Sequence, residues 1–162
     1  RVLHAVAGEY LEEPGPASEG RALLLPHAIA HSFVSLSGSD GFTLAGTYIW
    51  SRKSLIFHPD ALLDDHPIGE YTQTLESAPY LSIRYPLLRQ LLCEHSLLRH
   101  GIHVQARFQA RQRMLHSRLL FLNAAQKVAA LEQNHPAFCA VASIRQRAMH
   151  VGLSRQTYHT FL

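Results

Sequence analysis

The chain has 162 residues, 47% of them hydrophobic, and a formal net charge of +3; that is enough apolar material to bury one or two cores and too much for a disordered chain. No run approaches the roughly 18 unbroken apolar residues of a membrane span, and the opening "RVLHAVAGEYLEEPG" lacks the basic flank and apolar run of a signal peptide, so a cytoplasmic protein with no membrane partner is expected. Cys93 and Cys139 lie far apart without CxxC spacing, which argues against a disulfide framework or a four-thiolate cluster.

From Arg21 to Tyr85 the apolar residues fall in short runs separated by turn formers. "HSFVSLSGSDGFTLAG" predicts a hairpin, with Ser39-Asp40-Gly41 as its turn and β-branched and aromatic residues on either side. "EYTQTLESAPYLSIRY" repeats that pattern around Ser77-Ala78-Pro79. Strands at this spacing, with no long helix between them, predict an antiparallel β-barrel or jelly roll over residues 1–90 of an α+β chain.

After Pro86 the stretch "PLLRQLLCEHSLLRHGIHVQARFQARQRMLHSRLLFL" has no further proline and is rich in Leu, Gln, Arg and Ala. It predicts a long helix over 91–122, with Gly101 as a kink or break near its start. Val104, Phe108, Leu115 and Leu122 are spaced by four and seven residues, with Leu119 alongside. Arg107, Arg111, Arg113 and Arg118 decorate the same helix, Arg111 on the seam itself; so narrow and charged a seam suits two helices pairing, and the five apolar residues are the expected dimer interface.

Asn123 is the expected cap of a helix "AAQKVAALEQN" that His135-Pro136 ends, and Ser143 that of "IRQRAMHV", ended by Gly152. Ser154 caps the last helix, so that residues 123–162 form a helix-turn-helix unit. The chain starts at Arg1 and stops at Phe161-Leu162, inside a helix that ordinarily runs on another turn or two, so further residues are expected beyond both ends.

Charge divides the chain along the same line. Residues 1–81 hold four Lys or Arg against ten acids, a net −6, and residues 82–162 hold eleven against Glu94 and Glu132 alone, a net +9. A basic C-terminal half behind an acidic N-terminal half is the footprint of a nucleic-acid reader joined to a unit that does not compete for phosphate. Solvated arginine on a helix face gives the same count.

The order of acidic barrel, pairing helix and basic helix-turn-helix resembles the Crp/Fnr family of bacterial transcription regulators. "GLSRQTYHTF" is similar to the family's Gly-x-Ser-Arg-Glu-Thr-x-x-Arg recognition segment, "LNAAQKVAALEQNHPAF" to the helix preceding it in a wingless subgroup, and "YTQTLESAPYLSIRY" to the last strands of the sensor barrel. The resemblance implies a homodimer on a palindromic double-stranded DNA operator, with RNA polymerase and an unidentified small-molecule effector as further partners. It implies that Arg155 meets a guanine edge, while Gln156 replaces an acid that accepts from cytosine. Ser154 and Thr157 match the motif, Thr160 stands in place of a later arginine with His159 beside it, and Ser143 and Arg145 match positions that touch phosphate. Arg147 stands where relatives bury an apolar residue.

The effector region departs from that pattern. Cyclic-nucleotide members carry a Gly-Glu-Leu stretch and an Arg-Ser pair, and "IFHPDALLDDHPIGEYTQ" has neither. Its charges are Asp60, Asp64, Asp65 and Glu70, which repel a phosphate unless cations intervene. Cyclic AMP is therefore not the expected effector, and with the cluster-binding cysteines of other relatives also missing, no cofactor is expected. Two other readings stand beside this one. His27 and His31, with His58 and His66, could serve a cupin-like metal-dependent enzyme, although the cupin His-x-His signature and every common catalytic motif are absent; no enzyme is expected. A decayed regulator that only dimerises fits Arg147 and Thr160.

Overall fold

The computed structural model describes residues 2–38 and 41–162. Among them eight strands come first: β1 (Val2–Ala5), β2 (Tyr10–Glu12), β3 (Arg21–Leu25), β4 (Ala30–Gly38), β5 (Gly41–Trp50), β6 (Ser54–Ile56), β7 (Tyr71–Thr74) and β8 (Ala78–Arg84). They make two four-stranded sheets, β1-β8-β3-β6 and β2-β7-β4-β5. Every step along the chain except the β4–β5 hairpin crosses from one sheet to the other in the manner of a jelly roll, so the first half is two facing sheets, one of the two architectures expected for it. Leu23, Leu25, Ala30, Trp50 and Ile56 fill the space between them. The buried polar groups there are paired: Trp50 Nε1 donates to Ser32 Oγ at 2.8 Å, and Ser32 Oγ bonds Thr72 Oγ1 at 2.7 Å.

The first expected hairpin forms, with β4 and β5 in register from Ala30↔Trp50 to Gly38↔Gly41; Ser39 and Asp40 of its turn lie outside the described residues. The second does not. β7 pairs with β2 and β4, whereas β8 pairs with β1 and β3 in the other sheet. Leu75–Ser77 is thus a crossing between sheets and not a hairpin turn. Alternation along a strand marks which side chains are buried but not which strand lies beside it.

Among the described residues seven α-helices are interleaved or follow: α1 (Pro59–Asp64), α2 (Tyr85–Glu94), α3 (Ser96–Leu119), α4 (Ala124–Asn134), α5 (Pro136–Val141), α6 (Ile144–His150) and α7 (Arg155–Thr160). The expected single helix over 91–122 is divided, and the break is at His95, in extended conformation, not at Gly101, which lies inside α3. Packing decides its place. Tyr85, Leu88 and Leu92 of α2 share a core with Phe57, Leu62 and Ile68, and Ile102 of α3 returns to that same core. In an unbroken helix Ile102 would stand about 15 Å beyond Leu92 along the axis. Gly101 is exposed, and a Cβ there would meet nothing within 4 Å.

A third core joins Ile29 of the sheet unit to Val128, Leu131, Phe138, Ala148, Val151 and Tyr158 of α4–α7. Each of the larger aliphatic and Phe side chains among them contributes on the order of 1.5 to 3 kcal/mol by leaving water. The helical unit is therefore seated against the β2-β7-β4-β5 sheet, with α6 lying on β5.

Candidate nucleic-acid interface

The helix pair at the C-terminus is built by local chemistry. Ser143 caps α6: its Oγ accepts from the Gln146 amide at 3.3 Å, and Gln146 Oε1 accepts from the Ser143 amide at 2.9 Å. At the other end Gly152 takes φ +65, the Leu153 amide donates to the Ala148 carbonyl at 2.9 Å, and the Gly152 amide donates to the Met149 carbonyl at 3.3 Å. This is a Schellman ending, and its left-handed residue is the one place in the turn that calls for glycine. Two residues later Ser154 Oγ accepts from the Thr157 amide at 3.0 Å and starts α7. Asn123 caps α4 with Gln126 in the same reciprocal way.

α7 is held from behind by one side chain. Tyr158 is fully buried, and its hydroxyl donates to Glu132 Oε1 on α4. The same oxygen accepts from Arg147 Nη1 at 3.3 Å, while Arg147 Nε donates to the Ala142 carbonyl at 3.0 Å. The arginine standing at a position relatives fill with an apolar residue is thus charge-matched and hydrogen-bonded at the core edge. Glu132, one of only two acids in residues 82–162, is consumed in doing so.

What α7 presents outward is Arg155, Gln156, His159 and Thr160, all exposed and lining one shallow depression of about 430 Å³. Ser154 is spent on its cap, and Thr160 Oγ1 donates back to the Gln156 carbonyl at 3.1 Å. Arg155 is in no ion pair among the described residues, and neither is Arg145, which is exposed in the first turn of α6.

Val104, Phe108 and Leu115 along α3, and Leu122 in the bend just past its end, leave between 41% and 52% of their surface exposed, an unpartnered stripe. Leu119 is turned the other way and packs against the core of the helical unit. Phe108, Leu115, Leu119 and Leu122 together edge an open cavity of about 850 Å³ between α3, β5 and α4.

The acidic segment of the sheet unit is answered by arginines of the protein itself. Arg113 of α3 grips Glu70 with both Nη atoms, the second at 2.9 Å, and lies 5.5 Å from the centre of the Tyr48 ring. Burial alone pushes the Glu70 carboxyl up, and the bonds and charge of Arg113 overcome it and hold the group below the usual carboxylate range. Arg89 pairs with Asp65 at 2.7 Å. His58 stands 3.7 Å from Glu70, whereas His31, grouped with it in the metal reading, sits under α6. His31 meets His150 there and His116 stacks on His150, a cluster no local pattern signals, since 119 residues separate His31 from His150.

No family model and no curated protein sequence matches the chain. Solved structures do. FixK2 from Bradyrhizobium japonicum superposes with a TM-score of 0.80 at 16% identity, over 99% of this chain and 81% of that one. The c-di-GMP responsive global regulator CLP of Xanthomonas campestris gives 0.76 at 16% identity over 100% and 84%. A Crp/Fnr-family transcriptional regulator of Thermus thermophilus gives 0.68 at 14% identity over 99% and 83%. From its first strand to its last helix, the chain has the fold of the Crp/Fnr transcription regulators.

Proposed function

We propose that the chain is a DNA-binding transcription regulator that acts as a homodimer, with residues 123–162 reading DNA, 91–122 pairing the two copies and 1–90 forming a sensor that does not take cyclic AMP. The observation that carries the reading is the outward face of α7. Its cap, its glycine turn and the Tyr158–Glu132 bond fix the helix, while Arg155, Gln156 and His159 are left exposed and unspent. A helix of this kind enters the major groove with its N-terminal residues against base edges. The neighbours whose structures match are regulators by their printed names, and the +9 half of the chain supplies the attraction for phosphate. No helix among the described residues is long and apolar enough to cross a membrane.

The test is retention on duplex DNA at rising salt. Binding should weaken with a log–log slope of about −0.9 for each phosphate contact. A dimer whose affinity for every duplex is nil at low salt is instead a regulator that has kept its pairing helix and lost its reader, as Thr160, bonded to its own backbone, would favour.

The sensor claim rests on charge. A cyclic phosphate needs a free cation, and in this region Arg113 is matched by Glu70 and Arg89 by Asp65. Calorimetric titration with cyclic AMP and cyclic GMP should give no binding heat; a micromolar dissociation constant for either overturns the claim.

A further inference from the structure

The contact between α6 and the sheet is built around imidazoles. β4 and β5 slip register between Ser32 and Phe33, and Gly46 sits at that bulge. A Cβ on Gly46 would stand 2.6 Å from His150 Cα and 2.7 Å from His31 Nε2, so the missing side chain is what admits α6. His31 Nε2 and His150 Nδ1 then lie 3.1 Å apart, both side chains buried. His116 of α3 donates from Nε2 to the His150 carbonyl at 2.7 Å, because a carbonyl only accepts, and its ring stacks on that of His150 with centres 4.3 Å apart. Phe138 closes the group at 5.2 Å from His31 and 5.8 Å from His150.

We propose that His31, His116 and His150 form a proton-operated latch that holds the helical unit of α4–α7 on the β2-β7-β4-β5 sheet while all three are neutral and releases it when they take up protons. One N–H between His31 and His150 satisfies both facing nitrogens; two would point at each other with no acceptor between them. His31 Nδ1 has no partner, so a proton there is buried without an acceptor. The surrounding charges make this worse. β4 contributes His31; β5 contributes Gly46, with the Tyr48 phenol on the adjoining cavity wall; α3 contributes His116 and Arg113, with Arg118 on that wall; the α4–α5 junction contributes His135. The acid of α4, Glu132, is held by Arg147 and Tyr158, and Glu70 by Arg113. No carboxylate among these groups is left to receive an imidazolium.

Burial, with His116 adding, holds His31 down to about 3, and burial, then His31, His116 and His135, hold His150 well below its ordinary range. His116 is lowered by burial, against its bond to the His150 carbonyl. The docked state therefore binds fewer protons than the released state. Docking is at full strength above the ordinary histidine value of about 6.5 and weakens as pH falls through it, by about tenfold for His31 between about pH 7.5 and about pH 5.5 and by up to as much again for each of the other two.

The latch itself does not depend on the DNA-reading proposal, which supplies only its consequence. Amide hydrogen exchange on the full chain, corrected for the intrinsic rate at each pH, reads docking without DNA. Between those two pH values α6 and α7 should lose protection by about tenfold for His31 and by up to as much again for each of His150 and His116, while β3 and β8 keep theirs. His31→Gln combined with His150→Gln should remain docked and flatten the response to about tenfold or less. If that pair is undocked throughout, His116→Gln, whose amide still offers a donor to the His150 carbonyl, should give a response shallower than the wild type's by up to about tenfold. Unchanged protection of α6 in the wild type, equal loss in β3 and β8, or a deciding variant that responds like the wild type overturns the latch.

Discussion

Replacing both Phe108 and Leu115 by aspartate is expected to leave a folded monomer. The two lie on the α3 stripe with 52% and 44% of their surface exposed in a single chain, and neither belongs to any of the three cores. Along α3 the a and d positions of a heptad read Leu97, Gly101, Val104, Phe108, Arg111, Leu115, Arg118 and Leu122, a seam running through the helix and just past its end. In a two-fold pair each substitution occurs twice, so four apolar contacts are lost and four carboxylates are brought together at once. At on the order of 1 to 2 kcal/mol per side chain, the four together weaken the dimer constant by about 10³- to 10⁶-fold. Sedimentation at micromolar protein should show one species of half the mass, with the unfolding transition still cooperative. Leu119→Asp is the contrasting variant: Leu119 packs on the core of the helical unit, so it should unfold that unit without first separating the copies. A double variant that stays dimeric means that the stripe is covered by something other than a second α3.

The contrast between Leu119 and Leu122 shows where sequence reasoning reaches its limit. Both fit a helical apolar stripe, and only the seating of α4–α7 tells which one faces inward. The caps are legible because their chemistry is local: Asn123, Ser143 and Ser154 each bond an amide three residues on, and Gly152 supplies the left-handed turn. Prolines mislead in the opposite way. Pro136 reads as a stop, and it does end α4, but it also occupies the first turn of α5, and Pro59 does the same for α1, because its missing amide costs nothing there. The break at His95 and the passage of β7 and β8 into different sheets are set by contacts remote in sequence, Ile102 on Leu92's core and β8 between β1 and β3. The candidate reading face, being one short capped helix, is legible almost entirely; the imidazoles that seat it on the sheet are not, since nothing near His31 marks His150 as its partner.

Arg155→Ala and Arg145→Ala are expected to fail in different ways, and the difference tests the reading assignment as well as DNA binding. Arg155 begins α7 right after its cap, exposed and free of any ion pair among the described residues, where a guanidinium can meet a guanine edge with two bonds. Arg145 lies in the first turn of α6, the helix that crosses the backbone in this arrangement. Two copies on a palindrome place two α7 helices about 34 Å apart, one turn of the duplex, so each substitution acts at both half-sites. Losing Arg155 should remove on the order of 1 to 3 kcal/mol of discrimination per half-site, about 5- to 150-fold at one base position, with little change in nonspecific affinity. Losing Arg145 should weaken all sequences alike and lower the salt slope by about 1 for each copy, with base preference intact. Site selection followed by titration at several salt concentrations separates the two. Because both side chains are exposed and unpaired, neither substitution should disturb folding, so a changed profile reports the interface itself. If Arg155→Ala shifts only the salt slope and Arg145→Ala only the base preference, α6 and α7 have exchanged roles, and the helix that reads is the one seated on β5.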